Sequence, residues 1–474
     1  MFYKKHVYLF FFLIASLHLE AQEYWDLQKC INHALDNNLS IKQSVLNTKF
    51  SEQELSQSKA AIAPSINAFA TNFYNFGQTI DPLSNQFASE RVRSNQFGLN
   101  SRLTIFNGLQ NYHTIKRNEL NLSAARFDVD KSRNDISLAV ANFYLQILLS
   151  EELVNVARNQ IAITQRQVDQ SEKLYRAGSI PYGSLLDVQA QLATEELSLV
   201  NAQNQVELSY LQLIQLLQLE REEAQKFRIV KPQISIELSA VIESRPNQIY
   251  DEAERFLPDI KSAETRLMGA EQNLMVAKGT RYPSLSLSGA FGTGYSGLRQ
   301  ELTGYSIGGD RIIGQTQSGE LVTTPDIVPL FALKPFDRQM RENFNQSIGL
   351  TLSVPIFNNY TTRSFVNSAK ITMEIRENEL EITKNRVKQD IQQAFADATA
   401  ALNNLKASEK AFNALQQAFK YNEQRFEAGV INPVEFYMAK TRLNNAEADL
   451  QRAKYNFIFR LKVLDFYQGK PISL

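Results

Sequence analysis

A chain of 474 residues exceeds one ordinary domain, and 43% hydrophobic with 21% charged residues is the balance of an ordered protein. Fifty basic residues offset fifty acidic ones, so no basic field exists for binding a nucleic acid through its phosphates. The single cysteine, Cys30, excludes an intrachain disulfide framework and a cysteine-built zinc site.

The chain opens with Lys4 and Lys5, then an apolar run from Val7 to Leu17, then Leu19-Glu20-Ala21. A short positive region, an apolar core and a small residue at the cut are the marks of a signal peptide, expected over residues 1–21. The run is too short for a spanning helix. Losing two lysines and one glutamate takes the balanced chain to a net charge of −1. Cys30 lies past the cut within a helical pattern and reads as a small buried residue. No later stretch approaches 18 consecutive apolar residues, so a mature chain that enters a membrane is expected to do so as a β-barrel.

An internal repeat sets the organisation. Ala63-Pro64-Ser65-Ile66 recurs as Tyr282-Pro283-Ser284-Leu285, an offset of 219. Ile105-Phe106-Asn107 recurs as Ile356-Phe357-Asn358, and Ala177-Gly178 as Ala428-Gly429, both offset by 251. The second half therefore carries 32 more residues, placed between about 285 and 345. Two structural repeats are expected, 22–231 and 232–474.

In the first, a helix from about Trp25 to Ala63 leads to a strand pair over about 64–106. A long helix follows over 108–177, then a return helix from Ser184 to Lys231. In the second, a helix from about Gln248 to Tyr282 precedes a strand pair over about 283–357, with a long loop between the strands. A long helix over 358–428 and a return helix from Val434 to Gln468 complete it. No Gly or Pro occurs between Gly108 and Gly178 or between Pro355 and Gly429, and each long segment would run to about 100 Å at 1.5 Å per residue. Val140, Ile147, Val154, Ile161, Val168 and Tyr175 recur every seven residues, and Ile391, Ala398, Leu405, Phe412, Phe419 and Phe426 match them. A second seam holds Ile136, Phe143, Ser150, Ala157 and Thr164. Such a period argues for coiled-coil packing.

The strands alternate. Ile348, Leu350, Leu352, Val354 and Ile356 oppose Ser347, Gly349, Thr351 and Ser353. Phe97, Leu99, Leu103 and Ile105 oppose Gly98, Asn100, Arg102 and Thr104; Leu285, Leu287 and Phe291 oppose Ser284, Ser286 and Ser288. Transmembrane strands and a soluble sheet with one wet face give the same signal. Four strands cannot close a membrane barrel, which needs about eight or more. Either the sheet is small and soluble, or several chains share one barrel. The long helices favour the second reading, because one chain has nothing to bury all their seams.

Together, the duplication, the Pro-Ser strand starts, Leu27-x-x-Cys30-Ile31-x-x-Ala34-Leu35-x-Asn37-Asn38 and the turns Tyr175-x-x-Gly178 and Phe426-x-x-Gly429 resemble the TolC-type outer-membrane efflux proteins. The resemblance covers nearly the whole mature chain and rests on order and spacing rather than on one motif. It implies a mixed α and β fold: long antiparallel helices in a coiled-coil barrel, with four transmembrane strands per chain completing a shared trimeric β-barrel. It implies a homotrimer in outer-membrane lipid with a helical tunnel in the periplasm. That duct would pass small molecules from an inner-membrane RND or ABC transporter through a periplasmic adaptor, the membrane fusion protein.

The resemblance also assigns sites. The turns would be adaptor-docking tips, carried by Tyr175, Arg176, Gly178, Phe426, Gly429 and Pro433. Glu435 falls where the family often places a pore-facing acid, and its ring would attract cations. Met438 occupies the next inward position, where the acidic pattern is broken, and Ser184 and Asp187 are the repeat mates of the pair. An acid in the first turn of a helix also suits the helix dipole without any pore.

Gly292-Thr293-Gly294-Tyr295-Ser296-Gly297 spells G-x-G-x-x-G after a strand, but no helix opens there, so nucleotide binding is excluded. The segment 292–344 reads as a long loop outside the cell. His33 and His113 sit on different helices, acids follow solvated faces, and no buried polar cluster is apparent. No catalytic residue, cofactor or metal is expected, and the chain reads as a non-enzyme. Two alternatives remain open: an exit duct for type I protein secretion, and a soluble periplasmic coiled-coil scaffold or adaptor.

Overall fold

The computed structural model describes residues 24–80, 85, 87–88, 91–232 and 245–473, so the expected leader lies outside the described residues. The first half contains β1 (Tyr24–Trp25), α1 (Leu27–Asn37), α2 (Leu39–Ala60), β2 (Ser65–Asn75), the short strands β3 (Thr79–Ile80) and β4 (Phe87–Ala88), and β5 (Val92–Asn107). It continues with α3 (Gln110–Arg176), α4 (Tyr182–Leu217), α5 (Arg221–Lys226) and β6 (Arg228–Ile229). The second half contains α6 (Pro246–Phe256), α7 (Pro258–Gly279), β7 (Ser284–Ser296), β8 (Gln300–Gln315), β9 (Leu321–Leu333), α8 (Phe336–Glu342), β10 (Asn345–Ser353), α9 (Thr361–Glu427) and α10 (Pro433–Tyr467).

Helices α3 and α9 both have 67 residues. Each is about 100 Å long at 1.5 Å per residue. The same capping chemistry starts both and explains why Ile-Phe-Asn recurs. Asn107 Oδ1 accepts from the Asn111 amide, and Asn358 Oδ1 accepts from the Thr362 amide. Between cap and helix, Gly108 and Leu109 take positive φ, as do Asn359 and Tyr360.

Five elements depart from the sequence expectation. The first helix is broken: Asn38 is extended, its side chain accepting from the Ser40 amide and donating to the Leu216 carbonyl. Leu257 makes the matching break, because Pro258 forbids a helical residue before it. The return helix expected to reach Lys231 stops at Leu217. There Gln218 turns left-handed at φ 57°, and a short helix and strand follow. The expected strand to Ile356 ends at Ser353, two residues before Pro355. The segment 292–344, expected as a loop, carries the β8–β9 ladder and α8. The ladder's three register shifts erase the period that would have betrayed it.

The described chain divides into two compact units. One unit comprises the described residues up to Phe50, Ser123–Thr265 and Asn378–Leu474. Its largest core joins Trp25, Leu27, Cys30 and Ile31 to Val140, Tyr144, Ile147 and Leu148 of α3, and to Leu213 and Leu217 of α4. Cys30 is fully buried there. Trp25 pairs in parallel with Ile229, and the Tyr144 hydroxyl donates to the Val230 carbonyl at 2.6 Å, tying that edge to α3. The heptad seams lie in this unit. Val140, Ile147, Val154 and Val168 are buried, as are Ile391, Ala398 and Leu405.

The other unit comprises Ser51–Leu122 and Arg266–Glu377. It holds a four-stranded antiparallel sheet in the order β10-β7-β5-β2. One face carries Ile66, Leu99, Phe291 and Leu350, all exposed. The opposite face carries Ser, Asn, Thr and Gly, with Phe69 laid over Gly98 where a Cβ would sit 2.5 Å from the ring. The strands flanking the sheet, β2 and β10, each pair on one side only among the described residues.

Candidate functional site at the helix tips

The two helical reversals are built alike. In the first, the Gly178 amide donates to the Tyr175 carbonyl at 2.9 Å and the Ser179 amide to Leu174 at 2.8 Å. In the second, Gly429 donates to Phe426 at 3.0 Å and Val430 to Arg425 at 2.8 Å. This is the Schellman pattern, which needs a left-handed residue after the last helical turn. Gly178 has φ +74° and Gly429 φ +71°, so glycine meets the need without a Cβ penalty.

The helix starts that follow differ. Pro433 is the first residue of α10 and Asn432 caps it, its Oδ1 accepting from the Glu435 amide at 2.9 Å. Pro181 instead occupies the cap position of α4 and offers no side-chain hydrogen bond.

The expected tip residues do not share one environment. Tyr175 is exposed and its ring lies 5.2 Å from Tyr182. Arg176 is exposed and pairs with Glu172 on its own helix. Phe426 faces inward: it stacks on Phe436 at 4.6 Å, in a cluster with Phe419 and Ile431. Around the two turns the apolar side chains Leu174, Leu186, Val430 and Val434 are exposed.

Of the expected constriction residues, Glu435 is exposed in the first turn of α10, and the Asn432 side-chain Nδ2 donates to its Oε1 at 3.1 Å. Met438 is 52% exposed one turn on. Asp187 is exposed and Ser184 half-buried on α4. Among the described residues no hydrogen bond or ion pair joins Glu435 to Ser184 or Asp187.

A buried polar cluster, absent from the sequence expectation, lies further along the same helices. Lys440 of α10 and Glu195 of α4 are buried with Gln160 and Thr164 of α3. Gln160 Nε2 and Gln191 Nε2 both donate to Glu195 Oε1 at 2.8 Å, and the Thr164 hydroxyl donates to Glu195 Oε2. Lys440 Nζ donates to Thr164 Oγ1 and stands 3.7 Å from Glu195 Oε1. Burial holds the Lys440 ammonium down at about 8, with Glu195 opposing. Burial, then the charges of Glu195 and Asp187, push the neighbouring Tyr437 phenol up. Sequence reasoning placed Thr164 on a packing seam and passed over its partners, because residues this far apart in sequence give no local signal.

An open sheet with one apolar and one polar face, in a chain with two long helical hairpins, fits the class of outer-membrane channels. A family model described as outer membrane efflux protein matches residues 30–218 and 249–469, and the chain belongs to that family. Outer membrane protein TolC of Vibrio cholerae is 21% identical over 461 residues, covering 97% of this chain and 94% of the relative. Outer membrane protein TolC of Escherichia coli is 23% identical over 392 residues, covering 77% and 72%. The crystal structure of the outer membrane protein VceC from Vibrio cholerae matches with a TM-score of 0.73 at 18% identity, covering 94% of this chain and 96% of that one. The protein is thus an outer-membrane protein of a channel family, a transport class rather than an enzyme class.

Proposed function

We propose that the protein is the outer-membrane exit duct of a tripartite efflux system, working as a homotrimer. The observation that carries this is the open sheet. Four strands with exposed Ile348, Leu350 and Leu352 on one face, and flanking strands that each pair on one side only among the described residues, cannot close alone. Three copies supply twelve strands, with the apolar face to lipid and the polar face to the passage. Two long hairpins per copy bring six to the helical tunnel in the periplasm, and the two structural repeats, 22–231 and 232–474, each contribute one.

In this reading the exposed apolar tips, with Tyr175, Arg176, Gly178 and Gly429 among them, dock a periplasmic adaptor that recruits an inner-membrane RND or ABC transporter. Phe426 and Pro433 shape the second tip, Phe426 by its packing and Pro433 by its place at the helix start. Glu435, Met438, Ser184 and Asp187 line the constriction, and copies of Glu435 form the cation-attracting ring. The duct itself passes solutes without chemistry.

The test is a strain lacking the gene, assayed against a panel of dyes and antibiotics, with its secreted proteins measured by mass spectrometry. Raised sensitivity with an unchanged secretome supports small-molecule efflux. Loss of a secreted protein with unchanged sensitivity assigns the chain to type I secretion instead.

A further inference from the structure

We propose that Arg102 is an anion-selecting residue in the strand-lined passage, serving small solutes that carry carboxylate, sulfate or phosphate groups. The inference rests on the duct reading above.

Strands β2, β7 and β10 contain no charged residue. Strand β5 contains two, Arg93 and Arg102, nine residues apart and so on opposite faces. Register places Arg102 opposite Ser65 on one side and Ser288 on the other, with Gly349 completing the row. The neighbouring row is Asn67, Asn100, Ala290 and Ser347. Arg102 is therefore the sole charge on the polar face of the sheet.

Its surroundings suit an oxyanion. Ser65, Asn67, Asn100, Arg102, Ser288 and Ser347 line one shallow concavity, and all but Arg102 are short hydroxyl or amide side chains. Arg102 is exposed, and among the described residues no carboxylate pairs with it. A guanidinium stays ionised at any physiological pH and presents a planar fork to carboxylate, sulfate or phosphate. On the opposite face, the rows of Leu103, Leu287 and Leu350 and of Ala68, Leu99 and Phe291 suit lipid. That assigns the Arg102 face to the passage. Copies of Arg102 around a shared axis would form a cationic ring, and such rings favour anions. Glu435 carries the opposite sign in the other compact unit, so the two contributions separate by substitution.

The experiment uses the full mature protein in planar lipid bilayers under a potassium chloride gradient. Tripolyphosphate is then added to one side at a time. Wild type, Arg102→Gln, Arg102→Lys and Glu435→Gln are compared. The expected result is a several-fold fall in the chloride-to-potassium permeability ratio for Arg102→Gln, with side-dependent tripolyphosphate block abolished. Arg102→Lys should keep the permeability ratio while weakening the block, because the charge remains and the fork is lost. Glu435→Gln should shift the ratio toward chloride and leave the block intact. Unchanged selectivity and block in an Arg102→Gln channel of normal conductance would overturn the inference and leave the duct reading standing. A wild type that forms no conducting channel would overturn both.

Discussion

Lys440 Nζ lies 3.7 Å from Glu195 Oε1, and both side chains are more than nine-tenths buried among α3, α4 and α10. A buried ion pair adds little net stability, but removing one partner strands the other charge. Lys440→Met should therefore destabilise the helical unit by about 3–5 kcal/mol. The double variant Lys440→Met/Glu195→Leu should recover most of the loss. Denaturant titration followed by circular dichroism, run as a double-mutant cycle, checks both.

The same pair sets a pH dependence. Burial lowers Lys440 from 10.5 to about 8, so between those values the unfolded chain keeps a proton that the folded one has released. The unfolded state binds more protons there, and the Lys440 contribution to stability rises with pH across that window. Below about 8 both states carry the proton and the contribution is flat. Unfolding free energies measured in steps from pH 7 to 10.5 should show this rise in wild type, and Lys440→Met should lack it.

At the tips, Gly178→Ala and Gly429→Ala each place a Cβ in open space, so the cost is conformational alone. A left-handed alanine costs about 1–2 kcal/mol. Each variant should lose that much stability and show faster amide exchange in the last turn of α3 or α9, with the sheet unaffected. Phe436→Ala, which empties the stack with Phe426 and Phe419, should cost more, about 3–5 kcal/mol.

Burial pushes the Cys30 thiol up to about 12, so the sole cysteine is protected twice, by inaccessibility and by protonation. Folded protein at pH 8 should resist iodoacetamide, and protein unfolded in guanidinium should take one label per chain. Labelling of the folded protein at the unfolded rate would contradict the packing of α1 against α3 and α4.

The long helices were legible because nothing in Gln110–Arg176 or Thr361–Glu427 interrupts them, and a repeated Asn starts both. The Tyr175-to-Gly178 and Phe426-to-Gly429 turns were legible for the same local reason. The break at Asn38 was not, since its extended backbone depends partly on the distant Leu216 carbonyl. Strand β8 was hidden by bulges that shift its alternation at Gly304, Asp310 and Gly314. Glu195 and Lys440 looked like solvated helix faces because their partners come from other helices.

The measurement closest to the central claim is the detergent-corrected mass of the protein extracted from purified outer membranes. The open sheet and its exposed apolar face predict a particle of several mature chains that requires detergent, and the proposed homotrimer sets that number at three. A monomer released into plain buffer would contradict the account, making the sheet a soluble one and the helices a periplasmic scaffold.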